Sequence, residues 1–322
     1  MRRHFPLQTD GTVYLTEGGQ ETEIMYRFGH ALPEFAMFPL LDQPQAVEDM
    51  TAMYQRYLDV AVAAGVPVMM GGLDYRASPD WGAKLGYSPE ALASMQLRCI
   101  DFLRNVAEPY RTRLPAILIS AVVGPRGDAY SLNHTITADS AEAYHFVQLS
   151  TLAQAGVDLI TAMTFNSVPE AIGVARAAAR LDLALGISFT LDSETSRLKS
   201  GPTLREAVEA TDHEAGDAKP DFYGVNCSHP FEFMPALEPG AWVRRVRMLR
   251  PNASAMDKIA LCKIGHLEEG DPEALGKLMG ELASRYPHID IWGGCCGTWD
   301  KHLEQIVRQV KAARCSEATT AR

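Results

Sequence analysis

The chain has 322 residues, 47% of them hydrophobic and 22% charged, an ordinary globular balance whose apolar content excludes a disordered chain. Lys and Arg total 30 against 40 Asp and Glu, a net charge of −10, and this acidic surplus argues against nucleic acid as a partner. The longest mostly apolar run, residues 60–73, is broken by Gly65 and Pro67 and falls short of the ~20 residues that span a bilayer; with no apolar signal stretch after Met1, the expectation is a cytoplasmic protein with no membrane partner.

Strand-like and helix-like segments then alternate along the chain. Residues 13–16 read as a first strand. A helix follows from about residue 44, with Val47, Met50, Tyr54, Leu58 and Ala61 at helical spacing. Residues 66–70 read as strand two. Ser88-Pro89 opens a helix, Ser as cap and Pro as first residue, with Leu92, Met95, Cys99, Phe102 and Val106 as its buried stripe. Residues 116–123 form strand three, and Asp139 with Glu142 reads as a capping box for the next helix. Strand four spans 159–165, and Ser167-Val168-Pro169-Glu170 caps the helix after it. Strand five spans 184–191, with a second box at Thr203 and Glu206. Strand six covers 222–227 and strand seven 246–249. Asp271-Pro272 starts a helix carrying Leu275, Leu278, Met279 and Leu282. Strand eight covers 289–292, and the last helix carries Leu303, Ile306, Val307 and Val310. The small, polar tail, residues 313–322, is expected to fray.

Eight strands, each followed by a crossover, predict an α/β fold of the (β/α)8 TIM-barrel type: one domain over residues 1–322, with the barrel at about 12–312. An open doubly wound sheet is the rival. It is weakened because no Gly-rich dinucleotide fingerprint follows the first strand.

In such a barrel the reactive groups lie at the carboxyl ends of the strands. Of the six cysteines, Cys227 ends strand six, and Cys295 and Cys296 end strand eight within Gly293-Gly294-Cys295-Cys296-Gly297. Adjacent strand residues face opposite ways. Two neighbouring cysteines can therefore share one site only if the backbone leaves strand geometry, which the glycines permit. Three thiolates suit Zn²⁺ with a fourth position open. Such a centre carries net negative charge, so a guest thiol bound there stays nucleophilic, a chemistry for attacking carbon rather than hydrolysing an amide. Cys99 belongs to a helix stripe; Cys262 and Cys315 have no partner spacing. His229 is a candidate fourth ligand, and Lys263 a weak candidate for Schiff-base chemistry in a loop.

The segments Gly224-Val225-Asn226-Cys227 and Gly293-Gly294-Cys295-Cys296 resemble the zinc-binding pattern of the homocysteine S-methyltransferase family. Val123-Gly124-Pro125, residues 187–191 before Gly201-Pro202-Thr203, and Pro251-Asn252 match as well. The resemblance covers roughly residues 12–312. It implies that Cys227, Cys295 and Cys296 hold zinc. It further implies methyl transfer from a sulfonium or ammonium donor to a thiol, homocysteine giving methionine, with no protein general base. The implied partners are small molecules, and a homo-oligomer is compatible.

The implied substrate-binding set is Glu17, Gly18, Gly19, Asp74, Tyr75, Met163, Thr164 and Asn226, and it departs from the family in three places. Glu17 replaces the usual Asp and is followed by Gln20-Glu21-Thr22-Glu23. Met163 stands where the family has a Glu for the homocysteine ammonium. Asp74 stands before Tyr75 where Ser or Thr is usual. The expectation is that Asp74 or Glu17 supplies the missing anchor. The alternatives are a thiol acceptor without an amino group, or a metabolite-binding relative that transfers no methyl. Tyr75 is the expected aromatic face for a cationic donor, with Phe38, Trp81 and Trp299 as looser candidates.

Overall fold

The computed structural model of the chain describes residues 3–8, 11–261 and 263–320. Eight strands close a parallel barrel in chain order, as expected, and the open sheet is excluded. They are β1 (Tyr14–Leu15), β2 (Val68–Met70), β3 (Ile117–Val123), β4 (Leu159–Phe165), β5 (Leu185–Phe189), β6 (Phe222–Asn226), β7 (Val246–Arg250) and β8 (Ile291–Trp292). The ring shuts where Tyr14 pairs with Ile291 and Leu15 with Trp292.

The helices are α1 (Gln20–Tyr26), α2 (Pro44–Ala64), α3 (Pro79–Lys84), α4 (Pro89–Ala107), α5 (Ala138–Ala155), α6 (Val168–Arg180), α7 (Leu204–Ala215), α8 (Pro230–Phe233), α9 (Lys258–Leu261), α10 (Pro272–Arg285) and α11 (Asp300–Thr320). Three of their starts follow the expected chemistry, while Ser167 holds the N-cap position of α6 without a capping hydrogen bond from its side chain. Ser88 caps α4 through Ala91 N–H, the Thr203–Glu206 box opens α7, and Asp271 caps α10. The box opening α5 is Thr137 with Ser140, not Asp139 with Glu142; Asp139 lies inside the first turn, where a carboxylate faces the positive helix end. The backbone of α11 stays helical to Thr320, through most of the stretch expected to fray. Ala321, Arg322 and Cys262 lie outside the described residues. No described helix is long and apolar enough to cross a membrane.

Strand residues alternate between two apolar clusters. Along β4, Ile160 and Ala162 pack outward against the helices, while Leu159 and Met163 join Phe5, Met69, Val122, Phe222, Met248 and Ile291 in a smaller cluster that fills the barrel. Met163 thereby faces the interior near the carboxyl end of its strand, where the barrel opens.

Candidate metal centre and its cavity

The backbone leaves strand geometry where the cysteines need it to. β8 stops at Trp292, so Cys295 and Cys296 sit on a turn beyond the ladder. That turn is sewn to both flanking strand ends. Gly294 N–H donates to Glu17 O at 3.0 Å and Cys295 N–H to Pro251 O at 2.7 Å, while Cys296 O accepts from Ala253 N–H at 2.9 Å. Thr298 N–H and hydroxyl both donate to Cys295 O. The glycine before α1 is required by close approach: a Cβ on Gly19 would lie 2.3 Å from Cys295 O. Across the mouth, β6 gives way after Asn226 to Cys227 in the left-handed region, φ 51°, a conformation that redirects its side chain out of the strand pleat.

These turns bring Cys227, Cys295 and Cys296 together, their sulfurs all within 4.8 Å of one another. The Cys227 and Cys296 sulfurs are 3.9 Å apart. Two ligands of a tetrahedral ion with Zn–S of about 2.3 Å stand about 3.8 Å apart, so the donor set and its spacing fit zinc. Protons are shared unevenly in so tight a group. Hydrogen bonds from Cys227 and Cys296 hold Cys295 well below the ordinary thiol range, and the same contacts push the other two above it.

The thiols lie on the wall of a cavity of about 290 Å³. Gly18, Gly19, Tyr75, Met163, Thr164 and Asn226 of the expected set also line it. Asn226 accepts from Thr164 N–H and donates to its hydroxyl, and its amide also points at Cys295 Sγ, 3.9 Å away.

Glu17 and Asp74 do not line it. The Glu17 carboxylate is buried behind the wall, accepting from Gly71 N–H and pairing with Arg250 at 3.2 Å. Its extra methylene is spent on that reach. Asp74 is fully enclosed in the turn after β2, where it accepts from Val122 N–H at 3.0 Å, and burial pushes its carboxyl up to about 7. Neither is placed to meet a substrate ammonium. Phe38, Trp81 and Trp299 are also away from the cavity. Phe38 packs on Tyr87, Trp81 lies under Arg76, and Arg27 stacks over Trp299 at 3.6 Å. His229 is no part of the thiol cluster; its Nδ1 caps α8, accepting from Phe231 N–H, and burial lowers it to about 4. Lys263 is exposed.

Several wall residues escape the sequence reading: Tyr130, Phe35, Arg76, Lys258 and Glu21. Tyr130 lies on the wall with the thiols, and burial followed by the charge of the three cysteines raises its phenol. Glu21 sits in the first turn of α1, half-buried. Burial pushes it up to about 7, with the charge of Cys295 adding to the shift and Arg250 opposing it.

A sequence profile described as homocysteine S-methyltransferase matches residues 14–310. The fold is similar to that of the homocysteine methyltransferase MmuM from Escherichia coli. The metallated form aligns with a TM-score of 0.70 at 20% identity over 94% of this chain and 97% of that one. The oxidized form aligns with a TM-score of 0.71 at the same identity and coverage.

Proposed function

As a member of the homocysteine S-methyltransferase family this chain is an S-methyltransferase, and we propose that it carries a methyl group from a sulfonium or ammonium donor to homocysteine, giving methionine, at a zinc centre. The observation that supports this reading is the meeting of Cys227, Cys295 and Cys296 on the cavity wall. Those three side chains would hold the ion. When bound, zinc supplies an open position that lowers the pKa of a guest thiol while the sulfur-rich set keeps it electron-rich.

The remaining residues position and shield. Asn226 and Thr164 lock the ends of β6 and β4. Arg250 donates to Gly294 O at 3.0 Å while paired with Glu17, which ties the turn before Cys295 to β1. Tyr75, Tyr130 and Phe35 offer aromatic faces to an onium group, and their apolar bulk excludes water. The acceptor sulfur attacks the donor's methyl carbon in line. The new S–C bond forms as the onium–C bond breaks, and its electron pair leaves with the donor, which departs with one positive charge fewer. Holding both partners in that line supplies much of the rate.

The test is elemental analysis of the purified protein, followed by mass spectrometry of thiol products. The zinc-loaded protein is mixed with homocysteine and each of betaine, S-methylmethionine and S-adenosylmethionine. About one zinc per chain and methionine from at least one donor are expected. Absence of zinc, or absence of methionine with every donor, overturns the reading.

A further inference from the structure

The cavity wall carries a carboxylate with no partner of its own. Glu21 lines the cavity between Gly19, which abuts the Cys295 carbonyl, and Thr22, which accepts from Gly297 N–H, yet among the described residues its side chain makes no hydrogen bond to another residue and no ion pair. The cations nearby are committed. Arg250 pairs with Glu17 and donates to Gly294 O, Glu17 O and Gly18 O. Lys258 pairs with Glu232 at 2.9 Å and donates to Leu191 O. Arg76 donates to Gly127 O and lies over Tyr75 and Trp81.

A carboxylate drawn out of water needs a counter-charge. Loading the thiol cluster does not provide one, since three thiolates outweigh a divalent ion. The missing cation must arrive with a ligand. Two ligand cations are available, an onium group and a primary ammonium. An onium centre has no N–H to donate and suits the aromatic faces of Tyr75, Tyr130 and Phe35. A primary ammonium has three N–H donors and suits a carboxylate. The start of α1 packs on the cysteine turn through Gly19 and Thr22, so Glu21 stands on the Cys295 side of the cavity and the ammonium belongs to the molecule whose sulfur enters there.

We infer that Glu21 is the specificity residue for an acceptor bearing both a thiol and a primary ammonium, and that it does from α1 what the apolar Met163 at the end of β4 cannot. This rests on the reading of the site as a thiol methyltransferase. It removes Asp74 and Glu17 as anchors and answers the alternative that Met163 signals an acceptor without an amino group.

The experiment measures binding by calorimetry to the zinc-loaded protein, and initial rates of methyl transfer, for homocysteine and for 4-mercaptobutanoate, which lacks only the amino group. Wild type should bind homocysteine at least tenfold more tightly. Glu21→Gln should weaken homocysteine binding and raise its KM by about ten- to a hundredfold, leave 4-mercaptobutanoate within about threefold, and change kcat by less than tenfold. Glu21→Asp should recover part of the loss. So should Glu21→Ala combined with Met163→Glu, which returns a carboxylate to the same cavity from β4.

Equal binding of the two thiols by wild type overturns the inference without needing any variant. So does unchanged homocysteine binding in Glu21→Gln, or an equal loss for both thiols, which would mark a structural role. Retained methyl transfer alongside any of these leaves the methyltransferase reading standing. A protein that binds homocysteine selectively through Glu21 but methylates no thiol upholds the inference and overturns that reading.

Discussion

Asn226 grips Thr164 across the intervening strand β5 with two hydrogen bonds of 2.9 Å, accepting from its backbone N–H and donating to its hydroxyl. Thr164 has φ 65° and the residue after Asn226, Cys227, has φ 51°. Each such non-glycine conformation costs on the order of 1–3 kcal/mol and persists only when its surroundings over-determine it. The clamp is what over-determines these two.

Asn226→Ala should therefore lower unfolding free energy by about 2 kcal/mol and weaken zinc binding by ten- to a hundredfold, as loss of a ligand's supporting contact does. Chemical denaturation and competition with a chelator read the two effects separately. A variant that keeps wild-type zinc affinity would show that Cys227 holds its conformation unaided.

Serine at any of 227, 295 or 296 should abolish stoichiometric zinc, whereas Cys99→Ser, deep in the α4 stripe, should leave zinc content unchanged at some cost in stability. Metal analysis after dialysis decides this. Zinc retained in all three variants would mean that the ion sits elsewhere.

Gly19→Ala should damage the centre without touching a ligand. The added methyl would meet the Cys295 carbonyl at 2.3 Å, and that carbonyl is backbone, held by Thr298. We expect several degrees off the melting temperature and at least tenfold weaker zinc binding. Unchanged zinc affinity would show that the turn can shift freely.

Asp74 gives a pH signature. Its folded pKa of about 7 lies above its unfolded value, so the native state binds the proton more tightly. The stability this gives is fully present below about pH 4 and is lost as pH rises through 7. At about 1.4 kcal/mol per pH unit the span is on the order of 4 kcal/mol. Asp74→Asn keeps the acceptor for Val122 N–H and removes the titration, so its stability should fall less than that of wild type between pH 5 and 8. Parallel curves for the two proteins would refute the assignment.

Tyr75→Leu should raise KM for an onium donor by about three- to thirtyfold, the range a ring-to-cation contact supplies. KM for the acceptor should stay within about twofold. Steady-state rates with each substrate varied in turn check the split, and an equal rise in both would point to general collapse of the cavity.

The barrel is legible in the sequence because buried parallel strands are continuous apolar runs and the helices open with Ser-Pro, Thr-x-x-Glu and Asp-Pro starts. The thiol cluster is legible because its cysteines stand at two strand ends on the same rim, and the glycines around Cys295 and Cys296 free the backbone to turn both toward one ion. The acceptor side is not. Asp74 stands one residue from Tyr75, yet the tight turn after β2 sends it toward Val122 N–H while Tyr75 reaches the cavity. Glu21 lies on a seven-residue helix too short to show a period, flanked by other polar residues. Tyr130 and Phe35 come from connections without regular spacing, so nothing local announces which way they face.

The ring of strands shuts through its two briefest members, β1 and β8, each two residues long. Little ladder holds that seam, and the cysteine turn fastened to Glu17, Pro251 and Thr298 lies immediately above it. An ion gripped there would act as a rivet at the join between the chain's first and last strands. Stripping it should make amide exchange quicken around residues 14–19 and 291–298 ahead of the long central strands.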